Sequence, residues 1–343
     1  MSFTYFRKER DLDTFFKALI VSNVLVIIYS VIQVFVGYGY FSLFGISELS
    51  MIENREDQRL VGPFLSVGMT AEYLVIQSLL LAHYMVHTGR LRKAGLVLLL
   101  LNLAVLVGTG NRGGFICAIL AVALFLYFYK QYIGRKGALL AGLGFIAMLA
   151  ASSFVMVAYT DFNVLYKRLS VTELEGITPD SRKGWKYVVE KITERPVIGH
   201  GPRIMRPIEY DPPPRNWPEG HITFYPHSLY LYILYTTGVV GFFAYGTWAV
   251  IYWKILCRER RRGRAFRRLG KGLSTLGMVV FVIFLIDQFK VEFLRSVLLD
   301  YQHYLAAIFG MFAALRNIEI EEEDLVRGDA NTKLAGQRVK YAK

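Results

Sequence analysis

Apolar residues run along this chain in long blocks, not in the short periodic stripes of a soluble core. Blocks near the roughly 18 residues that carry a helix across a bilayer core recur about eight times. They fall at about 16–38, 64–87, 94–109, 114–129, 137–159, 227–254, 272–289 and 297–315. The pattern predicts an all-α polytopic membrane protein with about eight transmembrane helices. The third and fourth blocks are short, which leaves a re-entrant pair open there. What remains is a polar loop at 43–62, a long loop at 160–226 and a charged tail at 316–343. The chain then divides into N-terminal membrane helices (1–159), the long loop (160–226), C-terminal membrane helices (227–315) and the tail.

Charge gives this arrangement a direction. Arg7, Lys8 and Arg10 precede the first block, and Arg90, Arg92 and Lys93 follow the second. Lys130, Arg135 and Lys136 follow the fourth, and a run from Arg258 to Lys271 holds seven arginines after the sixth. All of these fall on one side of an eight-span topology, and the positive-inside rule makes that side the cytoplasm. Both termini are then cytoplasmic, and 43–62 and 160–226 lie on the opposite, outer face. Composition agrees: the 343 residues are 54% hydrophobic, with mean hydropathy +0.36 and net charge +13. That charge is not a nucleic-acid footprint. It is gathered in one short loop between apolar blocks, without interleaved aromatics or a reader motif, and suits membrane lipids instead. The charged start MSFTYFRKERDLDTFFK and the length of the run behind it predict a retained span, not a cleaved leader. Cys117 and Cys257 form neither a disulfide framework nor a metal-ligand cluster.

A few residues stand against the positive-inside trend. Pro226 ends a wet, proline-rich stretch, and an apolar helix begins at His227 (HSLYLYILYTTGVVGFF). Pro suits the first turn of a helix. The positive end of the helix dipole there disfavours imidazolium and leaves the ring available as a base. A structural histidine at the membrane boundary is the plainer alternative. Arg112, in GTGNRGG, lies about 20 residues from either basic flank, about 30 Å of helix, which sets it at the outer edge of the hydrocarbon. An arginine there is a functional candidate, or else a snorkelling or turn-stabilising residue. Arg59 precedes the second block in RLVGPF, where Glu53, Glu56 and Asp57 offer simple surface ion pairing instead.

Arg182 opens SRKGWKYVVEKITERPVIGHG, in which Trp185, Val188, Val189 and Ile192 recur at helical spacing. This predicts an amphipathic helix on the membrane surface, stopped at Pro196 and followed by a tight turn at Gly199 and Gly201. Arginines grip phosphate through two parallel N–H groups and stay charged. Asp180, Asp211 and Glu219 lack the spacing of a metal site, so the pattern favours metal-independent chemistry, with arginines stabilising an anionic leaving group. No cofactor is implied.

Four of these stretches, in this order, carry a resemblance. RLVGPF (59–64), GTGNRGGF (108–115), SRKGWKYVVEKITERPVIGHGP (181–202) and HSLYLYILYTTGVVGF (227–242) resemble elements of the bacterial O-antigen ligase and O-antigen polymerase superfamily, which includes pilin O-oligosaccharyltransferases. The resemblance spans roughly residues 20–315. It implies a GT-C-like glycosyltransferase of the bacterial inner membrane, working on the periplasmic face. Such an enzyme moves a glycan from an undecaprenyl-pyrophosphate donor to a hydroxyl of a glycan, lipid A core or protein acceptor, with inversion and without metal. By position, His227 would be the base, and Arg59, Arg112 and Arg182 would bind pyrophosphate or glycan; Arg203 joins them by proximity. Ser228 stands where the family often has Asn, Asn111 where Ser is usual, and about four spans common in the family before the first block are not in this sequence. The alternative is a transporter or flippase of a lipid-linked saccharide, whose marks would be charges spread through mid-membrane, or inverted repeats with broken helices.

Overall fold

The computed structural model describes residues 6–36, 59–64, 66–88, 92–159, 188–201, 228–263, 265–266, 268–289 and 299–318. Within them the chain is almost entirely helical: α1 (Glu9–Val36), α2 (Val67–Thr88), α3 (Arg92–Gly108), α4 (Arg112–Tyr159), a short α5 (188–194), α6 (Leu229–Arg262), α7 (Leu273–Asp287) and α8 (Leu299–Ala314). A two-residue hairpin, β1 (Ala265–Phe266) with β2 (Gly270–Lys271), joins α6 to α7. By length and composition α1, α4 and α6 are apolar enough to cross a membrane, and α3 and α7 are shorter apolar helices. This is an all-α protein of membrane type.

Two of the long helices are broken at a glycine and fold back. In α4 the break is Gly134 (φ 73°, ψ 165°). Leu126 and Gly142 meet across it, although 16 residues of continuous helix would hold them about 24 Å apart. The two arms, 112–133 and 135–159, are antiparallel neighbours, so the fourth and fifth apolar blocks are two arms of one broken helix. In α6 the break is Gly238 (φ 62°, ψ −163°). The Tyr230 and Tyr245 rings lie 6.4 Å apart across it, against about 22 Å along an unbroken helix. The expected single span from His227 to Lys254 is therefore two arms, and the long one runs 239–262. Glycine is what allows this, since a φ near +60° with ψ near 180° is open only to a residue without Cβ.

With the reversal in α4 counted and the short arm 229–237 of α6 staying at the end where it starts, the longer helical arms pass alternately between two ends of a bundle. At one end the β-hairpin clamps the start of α1 and the end of α2. The Glu9 carboxylate accepts the Arg268 N–H, Arg268 pairs with Asp13 at 3.5 Å, and His83 Nε2 donates to Leu269 O at 3.0 Å. Tyr129, stacked on Phe125, donates its hydroxyl to Gly272 O at 3.0 Å. This end also holds Lys136 and Arg258 to Arg262. The opposite end holds residues 59–64, the α3–α4 turn, the starts of α2 and α6 and the end of α7. Between the ends, α7 is the most enclosed helix, with Phe281 and Phe284 set among Tyr252 and Phe309. The second arm of α4 and the outward face of α6 leave Leu139, Leu140, Leu143, Phe243 and Val250 exposed, as lipid-facing helices do.

Candidate active site

The end away from the arginine run is built from the stretches that stood out in the sequence. Gly110, at φ 60°, turns the chain after α3. Asn111 then caps α4, its Oδ1 accepting the Gly114 N–H at 2.9 Å, and Arg112 takes the first helical position. Asn and Ser are both strong N-caps, so Asn111 keeps the local chemistry of the residue more usual at its place. Against this turn lies 59–64: Leu60 donates its N–H to Gly108 O at 2.9 Å, and its side chain fills the space that a Cβ on Gly108 would need. Gly62 (φ 60°) donates to Gln33 Oε1 at 3.2 Å, and Thr70 Oγ1 donates to Val61 O at 2.5 Å. Gly114 lets α4 approach α2 so closely that a Cβ would lie 2.5 Å from Ala71 Cβ. Arg59, half-buried, and Arg112, exposed, are thereby brought to one end and one neighbourhood.

The start of α6 joins the same end. Ser228 is buried and extended, and the Leu229 N–H donates to Gln288 O at 2.9 Å just past α7. Tyr230 Oη donates to Leu285 O at 2.6 Å. Beneath this junction is a buried polar group that the hydropathy pattern does not bring out. Glu72 of α2 accepts from Gln288 Nε2 at 3.0 Å and from Tyr301 Oη at 2.6 Å, and the Cys117 thiol donates to Asp287 Oδ1 at 3.2 Å. Glu72 and Gln77 interrupt an otherwise apolar run, which is the signal that marks α2 as an inner helix.

The 196–201 turn docks on α6 chiefly through main-chain hydrogen bonds. The break at Gly238 frees two carbonyls and two amides. His200 and Gly201 donate to Tyr235 O and Thr236 O, both at 2.8 Å, while Val239 and Val240 donate to Pro196 O and Val197 O at 2.8 and 3.2 Å. Gly199 (φ 66°) faces Gly238, and a Cβ on it would lie 2.5 Å from the Thr236 carbonyl carbon. His200 stacks on Tyr235 at 4.7 Å and donates from Nε2 to Lys191 O at 2.7 Å, which ties α5 to the turn. Of the expected amphipathic stripe, Val188 is buried, Ile192 is half-buried and Val189 faces outward. On the outer side Lys191 pairs with Glu194 at 2.7 Å and holds its carboxyl below the usual range.

His227, Arg182 and Arg203 lie outside the described residues, so of the five expected site residues only Arg59 and Arg112 have a described place. Among the described residues no group of three or more His, Cys, Asp or Glu side chains is arranged to hold a metal ion. The fold and the end just described define a helical membrane protein with its unusual polar residues gathered at one end. Residues 96–246 match the protein family described as O-Antigen ligase. That stretch contains the α3–α4 turn, the 196–201 segment and the start of α6. No curated protein and no solved structure matches the chain.

Proposed function

We propose that the protein is a membrane glycosyltransferase of the O-antigen ligase and polymerase type. It takes a glycan from an undecaprenyl-pyrophosphate donor on the periplasmic face of the bacterial inner membrane and attaches it to an acceptor hydroxyl. The observation that carries the reading is the convergence of RLVGPF, the capped Arg112 turn and the start of the His-led helix at the end opposite the arginine run, in a chain whose residues 96–246 match that family. In this reading His227 takes the proton of the acceptor hydroxyl. The hydroxyl oxygen bonds to the anomeric carbon from the face opposite the pyrophosphate, the carbon–oxygen bond to pyrophosphate breaks, and the sugar inverts. Arg59, Arg112, Arg182 and Arg203 neutralise the charge that grows on the leaving pyrophosphate, so no metal is required. The N-termini of α2 and α4 lie at the same end and add their positive dipole ends.

The transporter reading finds one of its marks in the broken α6. The groups freed at Gly238, however, are taken up by residues 196–201 and are not left to coordinate a passing substrate. That favours the enzyme.

The test uses purified protein, an undecaprenyl-pyrophosphate glycan and a panel of acceptors, comparing the wild type with His227→Ala. Release of lipid pyrophosphate with a longer glycan identifies a polymerase, and release with glycan on lipid A core or protein identifies a ligase. His227→Ala is expected to abolish transfer in a folded, inserted protein, with EDTA leaving the wild-type rate unchanged. Near-normal transfer by the variant removes the base, and EDTA inhibition reversed by a divalent ion removes the metal-free mechanism. Movement of the intact lipid-linked sugar across vesicles, with no pyrophosphate released, replaces the enzyme by a transporter.

A further inference from the structure

Glu72 sits within the second turn of α2 and is only 1% exposed, in an apolar bundle where an ionised carboxylate is expensive to hold. An amide or apolar side chain would spare the bundle that cost. What a carboxylate does here is accept two donors at once: Tyr301 Oη reaches Oε2 at 2.6 Å and Gln288 Nε2 reaches Oε1 at 3.0 Å. A glutamine at 72 has one acceptor oxygen, so it cannot accept from both donors: it could meet Tyr301 Oη only by donating to it, and the two charge-assisted bonds to a carboxylate are lost.

Gln288 carries the connection onward. Its side chain is held by Glu72, and its backbone carbonyl accepts the N–H of Leu229, the first residue of α6, at 2.9 Å. Gln288 is itself fully buried, and its own N–H is bonded to Phe284 O at 3.1 Å, so it has little freedom to move without its partners. Leu229 stands two residues after His227 in the chain.

We propose that Glu72 is a positioning residue for the transfer reaction: acting through Gln288, it fixes the start of α6 and so the backbone from which the base is presented. The inference rests on the reading of His227 as that base. Glu72 touches neither substrate nor reacting atoms, so its effect belongs in the rate of the bound complex and not in donor binding.

The experiment measures kcat and KM for an undecaprenyl-pyrophosphate glycan with Glu72→Gln, Gln288→Leu and the exchanged pair Glu72→Gln/Gln288→Glu, alongside the thermal midpoint of each in detergent. A misplacement near 1 Å is enough to lower turnover about 100-fold, so Glu72→Gln is expected to lose roughly 10- to 100-fold in kcat while KM stays within about twofold. The exchanged pair restores one amide facing one carboxylate and is expected to recover most of that loss. If Glu72→Gln does not fold, Gln288→Leu cuts the same link and is read by the same split. Wild-type kcat in either folded single variant overturns the proposal. So does a fall of kcat and thermal midpoint with a rise of KM that the exchange does not mend, which is the signature of a merely structural group. A wild-type chain that transfers no glycan overturns the enzymatic reading and this inference with it; an active wild type beside an unaffected Glu72→Gln overturns this inference alone.

Discussion

At the head of α4 a guanidinium occupies the first helical position, where the helix dipole disfavours a cation by about 0.3–1 kcal/mol. Asn111 caps the helix beneath it and Gly110 supplies the left-handed turn, so the cost serves no need of the fold. An anionic ligand reverses the sign of that argument, because guanidinium and dipole then both attract it. Arg112→Lys keeps the charge and loses the planar fork. It is expected to cut transfer by roughly tenfold or more at an unchanged thermal midpoint, since one charge-assisted bond is worth about 1.5–3 kcal/mol. Wild-type turnover with lysine would return Arg112 to an ordinary turn residue. Arg112 was legible in the sequence because a lone cation far from any basic flank breaks a strong trend. Glu72 was not, because its reason for being there is Gln288, 216 residues away in the chain.

The pairing of the 196–201 turn with the break in α6 shows where reading by segment stops. Each glycine is visible as punctuation: Gly199 and Gly201 after Pro196, and Gly238 inside an apolar run. What no single segment contains is that the two punctuations are one feature, joined by four main-chain hydrogen bonds with no side-chain pattern to announce them. For the same reason hydropathy reads 227–254 as one span. Gly238→Ala places a Cβ against Val197 O in a backbone region costing about 1–3 kcal/mol for any other residue. The amides of His200, Gly201, Val239 and Val240 are expected to exchange with solvent deuterium at least about tenfold faster in that variant, while those of α7 keep their protection. Unchanged exchange at these four amides would mean that the turn does not depend on its docking.

At the scale of the whole molecule, the alternation of helical arms and the segregation of charge are independent observations that agree. Packing alone brings Arg268 to Asp13, Leu269 to His83 and Gly272 to Tyr129 at one end, and Leu60 to Gly108 and Leu229 to Gln288 at the other. The basic run lies at the first end and Arg59 and Arg112 at the second. Hydropathy and charge made this legible because a bilayer imposes both on any helix that crosses it. The orientation that follows is open to direct measurement in intact cells. With Cys257→Ser removing the half-buried thiol at the basic end, and Cys117 buried, single cysteines replace Arg195, Lys136 and Arg261, all exposed. A membrane-impermeant maleimide is expected to label Arg195→Cys from outside, and Lys136→Cys and Arg261→Cys only after permeabilisation. Outside labelling of Lys136→Cys would invert the protein, placing Arg59 and Arg112 on the cytoplasmic face. The enzymatic reading would then have to find its lipid-linked donor there, which makes the sidedness of two lysine and arginine positions a test of the chemistry as well as of the fold.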